Sequence, residues 1–165
     1  MQLAASTAES TMQVVGVISD THGLLRPEAA AALAGSDVIV HAGDIGKPEV
    51  LAALQTLAPR VVAIRGNVDL RWAHDFDDVA DVTISGRRLH VLHDLKQLAI
   101  DPSACGVDVV VSGHSHRPLL ERRGGVLYLN PGSAGPRRFR LPVTLARLRL
   151  AEARDIEAEI VSLLP

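Results

Sequence analysis

The stretch Val109-Val110-Val111-Ser112-Gly113-His114-Ser115-His116 constrains this chain more than any other. A β-branched run reads as a short buried strand. In an extended backbone residues i and i+2 point the same way, so both imidazoles face one point beyond the strand end. Gly113 lets the chain leave the strand in a conformation that a side chain would hinder. A second pair with the same spacing, Asp20-Thr21-His22, follows Val14-Val15-Gly16-Val17-Ile18. Neutral imidazoles and carboxylates are natural ligands for a divalent metal.

The chain around these pairs reads as an α/β fold. Gln13 to Ser19, Val38 to His41 and Val61 to Ile64 are predicted strands. Between them lie helices from Pro27, ended by Gly35, and from Pro48 to Leu57, each with proline in its first turn. This βαβαβ order predicts a parallel sheet covered by helices. Val79 to Ser85 and Arg88 to Leu92 read as a hairpin around Gly86-Arg87. Leu95 to Ala104 has room for a short helix, interrupted by Pro102. Pro118 to Arg122 and Val126 to Asn130 form a hairpin around Gly124-Gly125. Pro142 to Leu150 and Asp155 to Leu164 alternate apolar and polar residues, the pattern of half-exposed strands, and read as a closing hairpin.

Five apolar runs thus end in possible ligands: Asp20 and His22, Asp44, Asn67, His93, and His114 with His116. Parallel strands bring such ends to one sheet edge, where open α/β folds bind ligands. Taken singly, Asp20 or Asp44 reads as a cap or an Asx-turn, and Asn67 after Gly66 as a turn. Capping does not require histidines, nor their recurrence after five strands. Seven N and O groups exceed one tetrahedral site and suit two adjacent ions, one carboxylate between them. The lack of thiolates points to Mn, Fe or Zn in a catalytic setting. His41, inside a strand, reads as a packed or supporting group. His74 reads as a loop residue and His90 as a strand-surface residue.

Several function classes are excluded. There is no Gly-x-x-x-x-Gly-Lys-[Ser/Thr] phosphate loop and no Gly-x-Gly-x-x-Gly fingerprint. Gly132-Ser133-Ala134-Gly135 falls short of a nucleophile elbow, because Pro131 stands where the first glycine would be. A net charge of −2 and 2% aromatic residues argue against an extended nucleic-acid track. No apolar run approaches the roughly 18 residues of a membrane span. The single cysteine, Cys105, rules out an internal disulfide and suits a reducing cytoplasm. Arg137-Arg138-Phe139-Arg140 reads as a solvated loop or, more sharply, as a phosphate or partner contact. Residues 1–12 read as a flexible extension, Met1 to Thr11 lacking the pattern of a secretory signal. Residues 13–165 read as one domain, and we expect folding, and native translation, to begin at Met12.

The set Asp20-x-His22, Gly43-Asp44, Gly66-Asn67, His93, Gly113-His114-x-His116 resembles the calcineurin-like metallophosphoesterase superfamily, in its small YfcE-type branch. Asn130-Pro131-Gly132-Ser133 is also similar to that branch. The resemblance runs from about Val14 to Leu150. It implies a four-layer αββα sandwich with two divalent ions, manganese first, with nickel, iron or zinc as alternatives. It implies Asp20, His22 and His116 on one ion, Asn67, His93 and His114 on the other, and Asp44 bridging. Catalytic roles fall to Asn67, Asp44 and His114, with Asn67 contacting both metal and phosphate. Two ions about 4 Å apart bind the phosphoryl oxygens and acidify a bridging water for in-line attack.

Two departures bear on substrate. Relatives that cleave monoesters often carry His after the Gly-Asn pair as a proton donor; here Val68 stands there. Asp69 is then expected to orient a ligand histidine. Asp94 stands where many relatives have Gly. The expectation is a cytoplasmic phosphodiesterase acting on a small diester, as a homodimer or higher assembly. The alternatives are a protein-binding module of the same fold, as in a retromer subunit with an altered metal site, and a nuclease acting on polynucleotide ends.

Overall fold

A computed structural model describes residues 11–165. The proposed extension therefore falls almost wholly outside the described residues. Strands β1 (Gln13–Ile18), β2 (Val38–His41) and β3 (Arg60–Ala63) alternate with helices α1 (Pro27–Leu33) and α2 (Pro48–Gln55), as the sequence predicts. β1 pairs in parallel with β2, and β2 with β3. Strands β4 (Val79–Ile84) and β5 (Arg87–Leu92) form the expected hairpin. Its turn residues Ser85 and Gly86 both have positive φ, 47° and 74°, the geometry that matches strand twist. Strand β6 (Val109–Val111) runs parallel between β5 and β8 (Val126–Asn130), and β7 (Leu119–Arg123) completes a second hairpin. Strands β9 (Thr144–Leu150) and β10 (Glu157–Ser162) close the chain.

The strands form two mixed sheets, ordered β10-β9-β1-β2-β3 and β4-β5-β6-β8-β7. β9 lies antiparallel against β1, so the first sheet is not purely parallel. β9 is also buried along most of its length, contrary to its half-exposed pattern. Ala146, Leu148 and Leu150 face the core between the sheets and Leu145 packs on the helix side, so both faces are covered; β10, at the edge, keeps the alternation.

The sheets face each other across an aliphatic core that includes Val15, Val17, Val40, Leu89, Val91, Val109, Val111 and Leu148. On the far side of the first sheet Ile18 and Ile39 pack beneath Leu33, Val50 and Leu54 of the two helices. The second sheet has a thinner cover. Leu92, Val110 and Val126 lie under Leu95, Leu98 and Ile100, from a 3-10 turn (Leu95–Gln97) and the loop after it. The αββα layering thus holds, with the fourth layer reduced to one turn and a loop. Pro102 cannot donate within a helix, and the room left between Leu95 and Ala104 is filled by turns.

His90 is a correction: it is 5% exposed, not a surface residue. Its Nδ1 lies 2.8 Å from Oδ1 of Asp81, its direct cross-strand partner on β4. A carboxylate across the strand makes an inward-facing imidazole tolerable.

Candidate metal centre

The carboxyl ends of β1, β2, β5 and β6, with the loop after β3, meet at one edge. Backbone bonds stitch them together. Asp20 N–H donates to Gly43 O at 3.0 Å, His22 N–H to Asp44 O at 3.0 Å, and Gly113 N–H to His93 O at 2.9 Å. His114 N–H donates to Asp20 Oδ2 at 3.1 Å, joining the two sheets.

The loops are strained where the ligands sit. Asp20, His22, Asp44, His114 and His116 all have positive φ, between 46° and 69°. Among the described residues only Ser85 and Phe139 share this among non-glycines. The left-handed region costs an L-residue about 1–2 kcal/mol. Such strain gathers where surroundings over-determine a functional geometry. Gly113 does not share it. A side chain there would collide with the Ser19 hydroxyl and the Asp20 carboxylate, so its role is space rather than backbone freedom.

Asp20 Oδ1 is the centre. It lies 3.3 Å from His116 Nε2, 3.8 Å from His22 Nε2 and 3.9 Å from His93 Nε2. Asp44 Oδ2 lies 3.2 Å from His93 Nε2 and 3.7 Å from His22 Nε2. Two ligand groups result: Asp20, His22 and His116, and Asp20, Asp44 and His93. Both carboxylates thus face both groups. His114 sits at the margin. Its ring stacks edge-on against His93 at 5.2 Å, but its Nε2 turns toward Asp94 Oδ2 at 3.9 Å. Asn67 is exposed at the start of a 3-10 turn (Asn67–Asp69) and lines a cavity with His93. The structure therefore brings five of the seven expected ligands into direct company, and leaves Asn67 and His114 on the open side.

These groups fit a metal. Asp20 Oδ1, His22 Nε2, His93 Nε2 and His116 Nδ1 are buried without hydrogen-bond partners. Each such orphan costs about 1–3 kcal/mol unless something takes its lone pair. His93 Nδ1–H donates to Ala42 O at 2.8 Å, which fixes the tautomer and leaves Nε2 free to ligate.

The electrostatics fit as well. Burial pushes the Asp44 carboxyl up, but His93 and the Val68 N–H outweigh it and bring it down to about 2. Asp20 is likewise lowered: burial opposes the charge, and His116, Ser19 and His93 overcome it. Burial drives His22 down despite both aspartates, with Arg138 adding to the fall. Burial also opposes charge on His93, yet Asp44 and Asp20 raise it above its ordinary value. The centre is an anionic pair of carboxylates waiting for positive charge.

Comparison with known proteins agrees with this geometry. A family model described as the calcineurin-like phosphoesterase superfamily domain matches residues 12–153. The chain belongs to this superfamily. A probable metallophosphoesterase from Methanothermobacter thermautotrophicus is 34% identical over 160 residues, covering 90% of this chain and 91% of that protein. Phosphodiesterase YfcE of Escherichia coli is 33% identical over 140 residues, covering 70% and 76%. Its solved structure matches with a TM-score of 0.64 at 23% identity, over 92% of this chain and all of that one. Vacuolar protein sorting 29 from Cryptosporidium parvum shares the fold, with a TM-score of 0.74 at 17% identity over 92% and 98% of the two chains.

Within this superfamily site, Asp69 behaves differently from the expectation. It touches no ligand histidine. Its buried carboxylate accepts N–H bonds from Ile45, Gly46 and Gly66 at 2.9–3.0 Å and from the Trp72 indole at 3.1 Å. It ties the Asp44 loop to the Asn67 loop. His41 is the supporting group the sequence suggested. Fully buried, its Nδ1 accepts from Gly43 N–H and its Nε2 lies 2.9 Å from Thr21 Oγ1. Thr21 in turn donates to Ile45 O. Burial holds the His41 ring neutral, with a pKa of about 4.

Two supports were not anticipated from the sequence. Asn130 Nδ2 donates to Gly113 O at 2.9 Å, and Ser133 Oγ to Asp20 O at 3.0 Å. Both hold a ligand loop by its carbonyl. The available signal was the polar run Asn130-Pro131-Gly132-Ser133 directly after a buried strand. Arg138 is exposed, and its charge adds to the lowering of His22.

Proposed function

We propose that this chain is a metal-dependent phosphodiesterase. The observation that carries the reading is the set of buried, partnerless ligand atoms, three imidazole nitrogens and an Asp20 oxygen, beside two ionised aspartates. Asp20, His22 and His116 would hold one divalent ion. Asn67, His93 and His114 would hold the other, with Asp44 between them. Manganese is the first choice, with nickel, iron and zinc as alternatives. When bound, the ions neutralise charge on the phosphoryl oxygens and supply a water acidic enough to attack near neutral pH.

The chain's own residues do the rest. His93 is held in one tautomer by Ala42 O. Asp44 is held by the Val68 N–H at 3.1 Å. Asn67 and His114, exposed at the rim, meet the incoming ester. Val68, 48% exposed beside them, offers no proton to a leaving group. That favours diesters with good leaving groups over monoesters. The names of the relatives, metallophosphoesterase and phosphodiesterase, support the same class.

The test is hydrolysis of bis-p-nitrophenyl phosphate beside p-nitrophenyl phosphate by metal-stripped protein. The expected result is diester cleavage restored by Mn2+, with little monoester cleavage. No cleavage with Mn2+, Ni2+, Fe2+ or Zn2+, despite two ions bound per chain, would sink the enzyme reading in favour of a binding module.

A further inference from the structure

Two cavities flank the metal centre and share one wall, Asp94. The larger, about 740 Å³, opens from His114 and is walled by Leu95, Pro118 and Leu119, with Arg117 beside them. The smaller, about 500 Å³, opens from Asn67 and His93 and is walled by Leu70, Val79 and Leu92. Both fall in the size range of sites for ring-sized ligands. Asp94 is fixed between them. Its Oδ1 accepts the Lys96 N–H at 3.1 Å, and its Oδ2 faces His114.

A phosphorus atom held at the metal centre carries two arms in a diester and one in a monoester. A diester also carries a single negative charge, whereas a monoester carries nearly two at neutral pH. We propose that the two cavities receive the two ring-sized arms of one phosphodiester, and that Asp94 repels the dianion of a monoester. This rests on the diesterase reading. It gives Asp94 a role as a specificity residue and names the substrate class: monoanionic phosphodiesters with a bulky group on each side.

Three esters separate arm filling from charge. Bis-p-nitrophenyl phosphate has two rings and one charge. Methyl p-nitrophenyl phosphate has one ring and one charge. p-Nitrophenyl phosphate has one ring and two charges. Rates are taken per bound metal. The wild type cleaves the bis ester faster than the methyl ester. Of Leu119→Trp and Leu70→Trp, which each narrow one cavity, one slows both diesters and the other slows the bis ester alone, to the methyl ester's rate. Asp94→Asn raises the ratio of monoester to methyl diester kcat/KM by about tenfold, the effect of removing one charge roughly 6 Å from another at a half-wet site. The change lies in KM, and Asp94→Glu keeps the wild-type ratio. Equal rates on both diesters, unmoved by either Trp variant, would overturn the two-arm assignment. An unchanged or lowered ratio in Asp94→Asn would overturn the charge filter. A wild type that cleaves none of the three esters with Mn2+ would overturn the diesterase reading and this inference with it.

Discussion

The site has a deep half and an open half, built differently. The deep half comprises Asp20, Asp44, His93 and His116, none more than 6% exposed. Asp20, Asp44 and His93 are each held by the backbone or by a fixed side chain. The open half comprises Asn67, Val68 and His114, all exposed, with fewer ties to the fold. The deep half is arranged to hold charge, and the open half leaves room for a ligand. Rigidity is concentrated where ligand atoms must converge, and freedom where a substrate must enter.

Damage to the deep half should therefore cost the most. Asp44→Ala removes the carboxylate facing both ligand groups. It should cut diesterase turnover by at least about a thousandfold, the scale of losing a key stabiliser of developing charge. Metal content by atomic emission should fall in parallel. Near-normal turnover with full metal content would break the comparison.

The next effect concerns the tie between the halves. Asp69→Ala leaves four N–H donors without their carboxylate. Loss of this buried acceptor should destabilise the chain by about 3 kcal/mol, the upper end of the cost of leaving a buried donor unsatisfied. Urea unfolding measures this, and Trp72 fluorescence reports the loosened knot directly, since it is the one tryptophan. A cost below about 1 kcal/mol, typical of a solvated surface pair, would show that the knot is incidental.

A third test uses pH. His41 titrates near 4 in the fold, against 6.5 for the free side chain. Between those values the unfolded chain binds more protons than the native one. Stability therefore rises with pH there, and is lost as pH falls from about 6.5 to 4. The loss attributable to this residue is about 3 kcal/mol. His41→Gln should flatten that limb in metal-stripped protein. A limb of unchanged slope would place the acid sensitivity elsewhere.

The smallest expected effect lies in the open half. Val68→His should raise monoester turnover relative to diester by about tenfold, short of the roughly hundredfold lower end of general-acid catalysis because an introduced imidazole is not held in place. It acts on kcat, whereas Asp94→Asn acts on KM, so the two are separable. An unmoved ratio would mean that the pocket, not a missing acid, sets preference.

Much of the deep half was legible in the sequence, because its signal is local. A ligand directly after a β-branched run needs only the strand direction and the sheet edge to find its place. Asp20, Asp44, His93 and His116 converge for that reason, with His22 beside them. What escaped depends on non-local pairing. Asp69 looked like a partner for a histidine because the chain places it near Asn67. The fold instead hands it backbone N–H groups from the loop after β2. His90 looked exposed because its strand alternates, but it is buried and Asp81 meets it across the strand pair. β9 looked half-exposed because the pattern carries no record of what will pack on each of its faces. The cavities beside Asp94 arise from five stretches far apart in sequence and leave no periodic trace.

The division of labour between the halves is tested most directly by titrating metal-stripped protein with Mn2+ in a calorimeter, wild type beside His114→Ala. Two ions should bind per wild-type chain. In His114→Ala the ion at Asp20, His22 and His116 should still bind tightly, while the other is weakened or lost together with turnover. A single ion per wild-type chain, or loss of both ions in His114→Ala, would contradict that division.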